Sequence, residues 1–310
     1  MKTIFFTGKG GVGKSTLASA VAWQLMEAGN RVLLVSFDPA HNLGDIFHMK
    51  LSHRKKRFKK TDLFLQETNL EQAANDYIEA NMSLLNEVYS YMKPFNMDNY
   101  FKVLKYSPGV EEYAAITAME KLFREEQENY DFIVIDTPPT GLTLRILALP
   151  KITVAWIDRL IKLRKQILEK RYTIHKLSGK YNETGTKLAY EEKDDTVMRK
   201  LYDMRERYEA VQHRLEGGDN SICVVFNPDY LSLRESQRLM NGVEELELPL
   251  RVAYHNKLQD PDSEVARKVE QELLQGRKYV KLEHVYTVDH TEPTCYIMDA
   301  ELIQSFQENA

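Results

Sequence analysis

Gly8-Lys9-Gly10-Gly11-Val12-Gly13-Lys14-Ser15-Thr16 joins an apolar strand, Ile4-Phe5-Phe6, to a helical pattern running from Leu17 to Ala28. Counted from Gly8, the spacing is G-x-x-x-x-G-K-S, the arrangement of a phosphate-binding loop. Glycines let the backbone fold back tightly and aim successive N–H groups at an anion. The helix that follows offers its own N-terminal donors to the same anion. Lys14 supplies a point charge for the β- and γ-phosphates of a nucleotide, and Ser15 a hydroxyl for Mg²⁺. The expected nucleotide-binding segment is therefore Gly8 to Thr16 in full.

Outward from this loop, β and α patterns alternate. Arg31 to Phe37 is a near-continuous apolar run ending in Asp38, and Asp131 to Ile135 is another ending in Asp136. Ser221 to Phe226 and Leu250 to Tyr254 follow, the latter leading to Asn256. Runs this apolar suit strands buried on both faces, as in a parallel sheet. With helical patterns between them, the chain reads as α/β, a doubly wound and mostly parallel sheet of the phosphate-loop NTPase type. Ligands in such sheets bind beyond the carboxyl ends of the strands, where Gly8, Asp38, Asp136 and Asn256 fall.

Two stretches break the alternation. Glu71 to Lys102 is helical and interrupted at Pro94. Lys151 to Gly217 is a longer helical insertion: Ile157, Leu160, Ile161, Ile167 and Leu168 recur at helical spacing in one half, and Met198, Leu201, Tyr202, Tyr208, Val211 and Leu215 in the other. The polar, glycine-interrupted segment Ser178 to Thr196 lies between them and reads as a mobile connection. The division expected is a nucleotide-binding core of residues 1–150 and 218–310, with a helical insertion at 151–217. The basic run His53 to Lys60 reads as a solvated loop, or as a surface for an acidic partner.

Composition bounds the rest. In 310 residues, 28% are charged and the net charge is −4, which gives no reason to expect nucleic acid. No apolar run is read as approaching the ~20 residues that span a bilayer. The first residues already form a core strand, which leaves no room for a signal peptide and makes the expected location cytoplasmic. Cys223 and Cys295 form no C-x-x-C pair, and Cys223 lies in an apolar strand pattern.

Three further motifs carry a family resemblance: Asp38-Pro39-Ala40-His41-Asn42-Leu43-Gly44-Asp45, Pro108-Gly109-Val110-Glu111-Glu112, and Asp136-Thr137-Pro138-Pro139-Thr140-Gly141-Leu142-Thr143-Leu144-Arg145. With Lys9 directly after the first glycine, which marks the deviant Walker A subclass, the chain closely resembles the ArsA-like ATPases of arsenical pumps and tail-anchored-protein targeting. The family writes DPAHNLSD and DTAPTGHTLR; this chain differs at Gly44, Pro138 and Leu142. The resemblance covers Met1 to about Leu149 and Ile222 to about Leu258.

That resemblance implies roles. Asp38 is the carboxylate that orients and polarises the attacking water. Asn42 senses the γ-phosphate, and Asp136 at the Walker B position holds Mg²⁺ directly or through water. Asn256 matches an adenine-reading asparagine, whose amide donates and accepts at once. Asp229 aligns with an acid near the nucleotide. Lys9 reaches across a two-fold interface to the partner's phosphates, so a homodimer using ATP and Mg²⁺ is expected. The family's zinc-bridging C-x-x-C pair is missing, so no zinc bridge is expected. His41 has no metal partner in the sequence and reads as packing within its switch.

The purpose of hydrolysis stays open between two readings. A targeting factor needs a wide apolar groove for a hydrophobic client helix, with a membrane receptor as a further partner; Met198 and Met204 with Trp156 and Ile157 are candidates for its lining. Equally, those stripes are two amphipathic helices packing on each other. A metalloid pump needs soft thiolates, and two cysteines are few for that. A DNA-partitioning ATPase would want a basic surface, and a membrane-positioning one a basic amphipathic end, whereas Asp299 to Glu308 is acidic. An iron–sulfur partner needs cluster thiolates that are absent. A non-catalytic nucleotide switch is separated from an ATPase by whether Asp38→Asn abolishes phosphate release.

Overall fold

The computed structural model describes residues 1–40, 42–88, 107, 109–178, 189–260, 263–286 and 298–308. His41, Pro94, Pro108, Cys295 and most of the Ser178–Thr196 connection lie outside them.

Eight strands form one sheet: β1 Lys2–Gly8, β2 Val32–Ser36, β3 Lys56–Arg57, β4 Leu63–Glu67, β5 Phe132–Asp136, β6 Asn220–Phe226, β7 Leu250–Leu258 and β8 Lys281–Tyr286. Their order is β3-β4-β2-β5-β1-β6-β7-β8. All neighbours are parallel except the short β3, which runs antiparallel to β4. The described helices are α1 Lys14–Glu27, α2 Leu43–Ile46, α3 Leu70–Val88, α4 Val110–Glu126, α5 Thr140–Ser178, α6 Thr196–Glu216, α7 Tyr230–Glu245, α8 Glu264–Leu274 and α9 Ala300–Glu308.

The strands alternate their side chains between two apolar layers, as period-two geometry requires. Phe5, Leu33, Val35, Ile133, Ile135, Ile222 and Val224 face a layer that includes α4 to α8. Ile4, Phe6, Leu34, Val134, Cys223, Val225 and Tyr254 face α1, α2 and α9. Both faces are dry, which is why the central strands read as unbroken apolar runs.

Several expectations are corrected. Sequence reading missed β4 and β8, and placed Asn256 past a strand that in fact continues to Leu258. The basic run is not a plain solvated loop: it contains β3, Lys55 pairs with Glu126 at 2.6 Å, and Arg57 pairs with Asp62 at 2.6 Å. The expected division at 150/151 falls inside one helix, since α5 continues through Pro150 from Thr140 to Ser178. Proline costs one backbone hydrogen bond there. Burial of Ile146 and Leu147 before it, and Ile157 and Ile161 after it, holds both halves on the same core. Within α5, the stretch Thr140–Lys176 is also long and apolar enough, by length and composition alone, to cross a membrane. That differs from the reading that no run approaches such a length; core helices pass the same test.

Among the described residues, α5 and α6 with a short 3₁₀ turn at Glu192–Asp194 make up most of the insertion. Met198 and Ile157 are buried and Met204 is partly buried between the helices, so these three are core packing rather than an open groove lining. Arg164 grips Asp195 with two hydrogen bonds of 3.1 and 2.7 Å, and Asp195 caps α6 by accepting from the Met198 N–H at 2.7 Å. The outward apolar residues lie on the other face of α5. Ile152, Trp156, Leu160 and Leu163 succeed one another at spacings of four, four and three, and all are exposed, Trp156 by 59%.

Candidate functional site

The loop between β1 and α1 lies at the carboxyl edge of the sheet, beside the ends of β2, β5, β6 and β7. Two of its glycines are forced. A Cβ at Gly8 would collide with the Val225 carbonyl of β6, and one at Gly13, where φ is +98°, would collide with the Asn256 amide. Gly13 occupies the N-cap of α1 and no side chain caps that helix. Among the described residues the N-cap thus leaves the first-turn N–H donors without a capping side chain, which is the condition for an anion site.

Two side chains from β7 hold the loop from behind. Asn256 Nδ2 donates to the Val12 carbonyl at 2.7 Å, and Lys257 Nζ to the Gly11 carbonyl at 2.8 Å. In a planar trans peptide the next N–H points opposite to the carbonyl. The Val12 and Gly13 N–H groups are thus turned away from β7. The β7–β8 register shifts between His255 and Leu258, and Lys257 has a φ of +56°. This bulge takes the two side chains out of the ladder and aims them at the loop. Sequence reading missed Lys257, because nothing in the local pattern announces the bulge.

The carboxylates converge from neighbouring strand ends. Lys14 is buried, its Nζ 3.8 Å from Asp38 Oδ2 and 3.5 Å from the Lys9 carbonyl. Asp38 Oδ1 accepts from the Ala40 N–H at 3.0 Å. Asp136 is fully buried; its Oδ2 accepts from Ser15 Oγ at 2.7 Å and Ser36 Oγ at 3.3 Å. Burial pushes the Asp136 carboxyl up to about 6, with Ser15 and Lys14 opposing and Asp38 adding to the rise. Among the described residues its Oδ1 is buried with no hydrogen-bond partner. An unused carboxylate oxygen beside a serine hydroxyl is a fitting donor pair for a hard divalent cation. Ser36, also missed in the sequence, ties this group together, since its Oγ accepts from the Asp38 N–H at 3.2 Å.

The two switch segments are anchored at their far ends. Glu67 on β4 accepts from the Gly44 N–H at 2.9 Å, and a Cβ at Gly44 would press on the Met49 carbonyl. This accounts for glycine where the family writes serine. Thr137 Oγ1 donates to the Phe6 carbonyl at 2.9 Å and Thr143 Oγ1 to the Pro138 carbonyl at 2.6 Å. Arg145 reaches Glu112 at 3.0 Å, which joins the third motif to the Pro-Gly-Val-Glu-Glu motif.

The structure brings Gly8 to Thr16, Asp38, Asp136 and Asn256 together. Asn42 is exposed at the start of α2, and among the described residues its side chain has no hydrogen-bond partner. Asp229 is exposed and caps α7, accepting from the Ser232 N–H at 2.7 Å. Lys9 is half-buried, and among the described residues its ammonium makes no ion pair.

Comparison with known proteins agrees with this geometry. The model of the anion-transporting ATPase family matches residues 1–303. A putative arsenical pump-driving ATPase 2 of Aquifex aeolicus is 30% identical over 304 residues, 98% of this chain and 92% of that protein. An ATPase ASNA1 homolog of Paramecium tetraurelia is 26% identical over 85% of this chain and 77% of its own length. One of Babesia bovis is 30% identical over 80% of this chain and 64% of its own length. The chain belongs to the anion-transporting, ArsA-type ATPase family and is an ATP hydrolase.

Proposed function

We propose that this chain works in the cytoplasm as a MgATP-dependent homodimer that couples hydrolysis to the handling of hydrophobic membrane-protein segments. ATP lies in the loop Gly8 to Thr16, with Lys14 leaving Asp38 to meet the β- and γ-phosphates. Ser15 and Asp136 hold Mg²⁺, which when bound neutralises phosphate charge. Asp38 orients a water for in-line attack on the γ-phosphorus, and no covalent intermediate forms. Asn42 senses the γ-phosphate. Asn256 spends one amide N–H on Val12, so its second N–H and its Oδ1 remain to meet adenine's edge. Asp229 stays near the nucleotide while capping α7. Lys9, unpaired within its own described chain, serves the partner's phosphates across the two-fold axis.

The observation that carries the client reading is the exposed apolar face of α5. Ile152, Trp156, Leu160 and Leu163 lie on the same helix as Thr143 and Arg145, so a nucleotide-driven shift of the second switch moves that face directly. Residues 1–150 and 218–310 act as the ATPase core, and 151–217 as the client-binding part. A contiguous apolar patch of this kind marks an interaction site in a folded protein.

A second reading, an ATPase subunit that energises an anion or metalloid transporter, is favoured by the pump-driving names of the relatives. Against it, Cys223 is fully buried and burial pushes its thiol up, away from the ligating thiolate. The test is a client trap: Asp38→Asn purified with MgATP from native cytosol, beside Lys14→Ala, which does not retain phosphate. Capture of proteins with a C-terminal hydrophobic helix by the trapped form alone supports targeting. An empty trap, or soluble partners only, overturns it.

A further inference from the structure

At the β8 edge of the sheet a second polar cluster stands apart from the nucleotide loop. β7 and β8 pair in parallel with His255 opposite His284. Paired residues of parallel strands point to the same face, so both imidazoles rise on one side. Helix α8 crosses that side with Val269 and Leu273 buried, and Glu270 reaches in between them. Glu270 Oε1 lies 2.5 Å from His255 Nδ1 and 2.8 Å from His284 Nε2.

The three donor atoms all fall within 4.8 Å of one another. Phe226 stacks on the His255 ring with centroids 4.6 Å apart and fixes its plane. The His255 side chain is fully buried, whereas that of His284 is 36% exposed. The cluster therefore has a rigid floor and an open mouth. One ion at about 2.0–2.2 Å from each donor in tetrahedral geometry sets the donors about 3.4 Å apart, so each Glu270–His pair opens by roughly 0.6–0.9 Å, which the partly exposed Glu270 and His284 side chains can supply.

We propose that His255 Nδ1, Glu270 and His284 Nε2 form a site for one divalent transition-metal ion of the zinc class, completed by water on the His284 side. Two neutral imidazoles with one carboxylate suit a borderline cation and discriminate against Mg²⁺, which prefers an all-oxygen shell. A neutral imidazole is the form that offers a lone pair to the ion. The three ligands come from β7, α8 and β8, so the ion staples the sheet edge one residue before the bulge that carries Asn256 and Lys257. The site is intramolecular and independent of any dimer, client or nucleotide.

The experiment uses the full chain, freed of metal by a chelator, then titrated with Zn²⁺ in excess Mg²⁺ and without nucleotide. Bound zinc is read by elemental analysis after dialysis against a competing chelator. One ion per chain is expected, with affinity at least about tenfold weaker in His284→Gln and in Glu270→Gln. Zn²⁺ should raise the thermal midpoint of the parent protein by clearly more than that of His284→Gln. Co²⁺ in the parent protein alone should give the visible absorption of a nitrogen- and oxygen-ligated, low-coordinate ion, a readout that needs no variant to fold. Substoichiometric zinc, or equal binding by both variants, overturns the proposal and assigns any binding to other histidines.

Discussion

Asp136→Asn should make the empty protein more stable and the enzyme nearly inactive. Asp136 is completely buried, and its carboxyl moves from 3.8 to about 6, chiefly because burial disfavours the ionised form. A folded-state value above the unfolded one means that the native chain holds its proton more tightly. The stabilisation from that proton is full below about pH 4 and is lost as the pH rises through about 6. Near neutral pH the buried carboxylate then costs on the order of 3 kcal/mol. Asparagine cannot ionise, and its Oδ1 still accepts from Ser15 and Ser36. Without Mg²⁺ or nucleotide, the variant should therefore exceed the parent by about 1–3 kcal/mol near neutral pH, with the gap closing near pH 4. Urea unfolding across that pH range measures it. Added Mg²⁺ should narrow the neutral-pH gap by stabilising only the parent, while phosphate release by the variant falls at least ~100-fold. A variant less stable than the parent at neutral pH, or a gap independent of pH, would refute this account of the buried carboxylate.

Gly13→Ala forces a methyl group against the Asn256 amide at a φ of +98°. It should destabilise the chain by about 1–3 kcal/mol and abolish nucleotide binding, read by thermal melts and by a fluorescent ATP analogue. Asn256→Ala strips the Val12 carbonyl of its partner. Loss of about 1–2 kcal/mol of stability and a raised KM for ATP are expected; an unchanged KM would mean the loop needs no support from β7. Trp156→Ser with Leu160→Ser removes two exposed apolar groups from α5. Stability should stay within about 0.5 kcal/mol while client capture by the Asp38→Asn form is lost, so retained capture would place the client elsewhere.

The phosphate loop and the inner strands were legible because their chemistry is local. Gly8, Gly13, Lys14 and Ser15 sit at fixed spacing, and β2, β5 and β6 are buried on both faces. β8 was missed since Lys281, Glu283 and His284 make an edge strand polar, and no apolar run marks it. β4 alternates buried and half-buried residues over five positions and follows a basic run, which hid it. Pro150 sits inside α5 because burial on either side of it outweighs a local helix breaker. Lys257 and Ser36 act through tertiary placement alone. Met198 and Met204 on α6 and Trp156 on α5 recur at the same helical period, and only packing shows that the methionines face inward and Trp156 outward.

The most direct test of the central claim is phosphate release by Asp38→Asn under saturating MgATP, with nucleotide affinity measured on the same sample. Turnover should fall at least ~100-fold while ATP binding stays within severalfold of the parent, because in the proposed reading Asp38 acts on the water and Lys14 on the phosphates. Turnover close to the parent's would contradict the assignment of Asp38 as the group that directs hydrolysis.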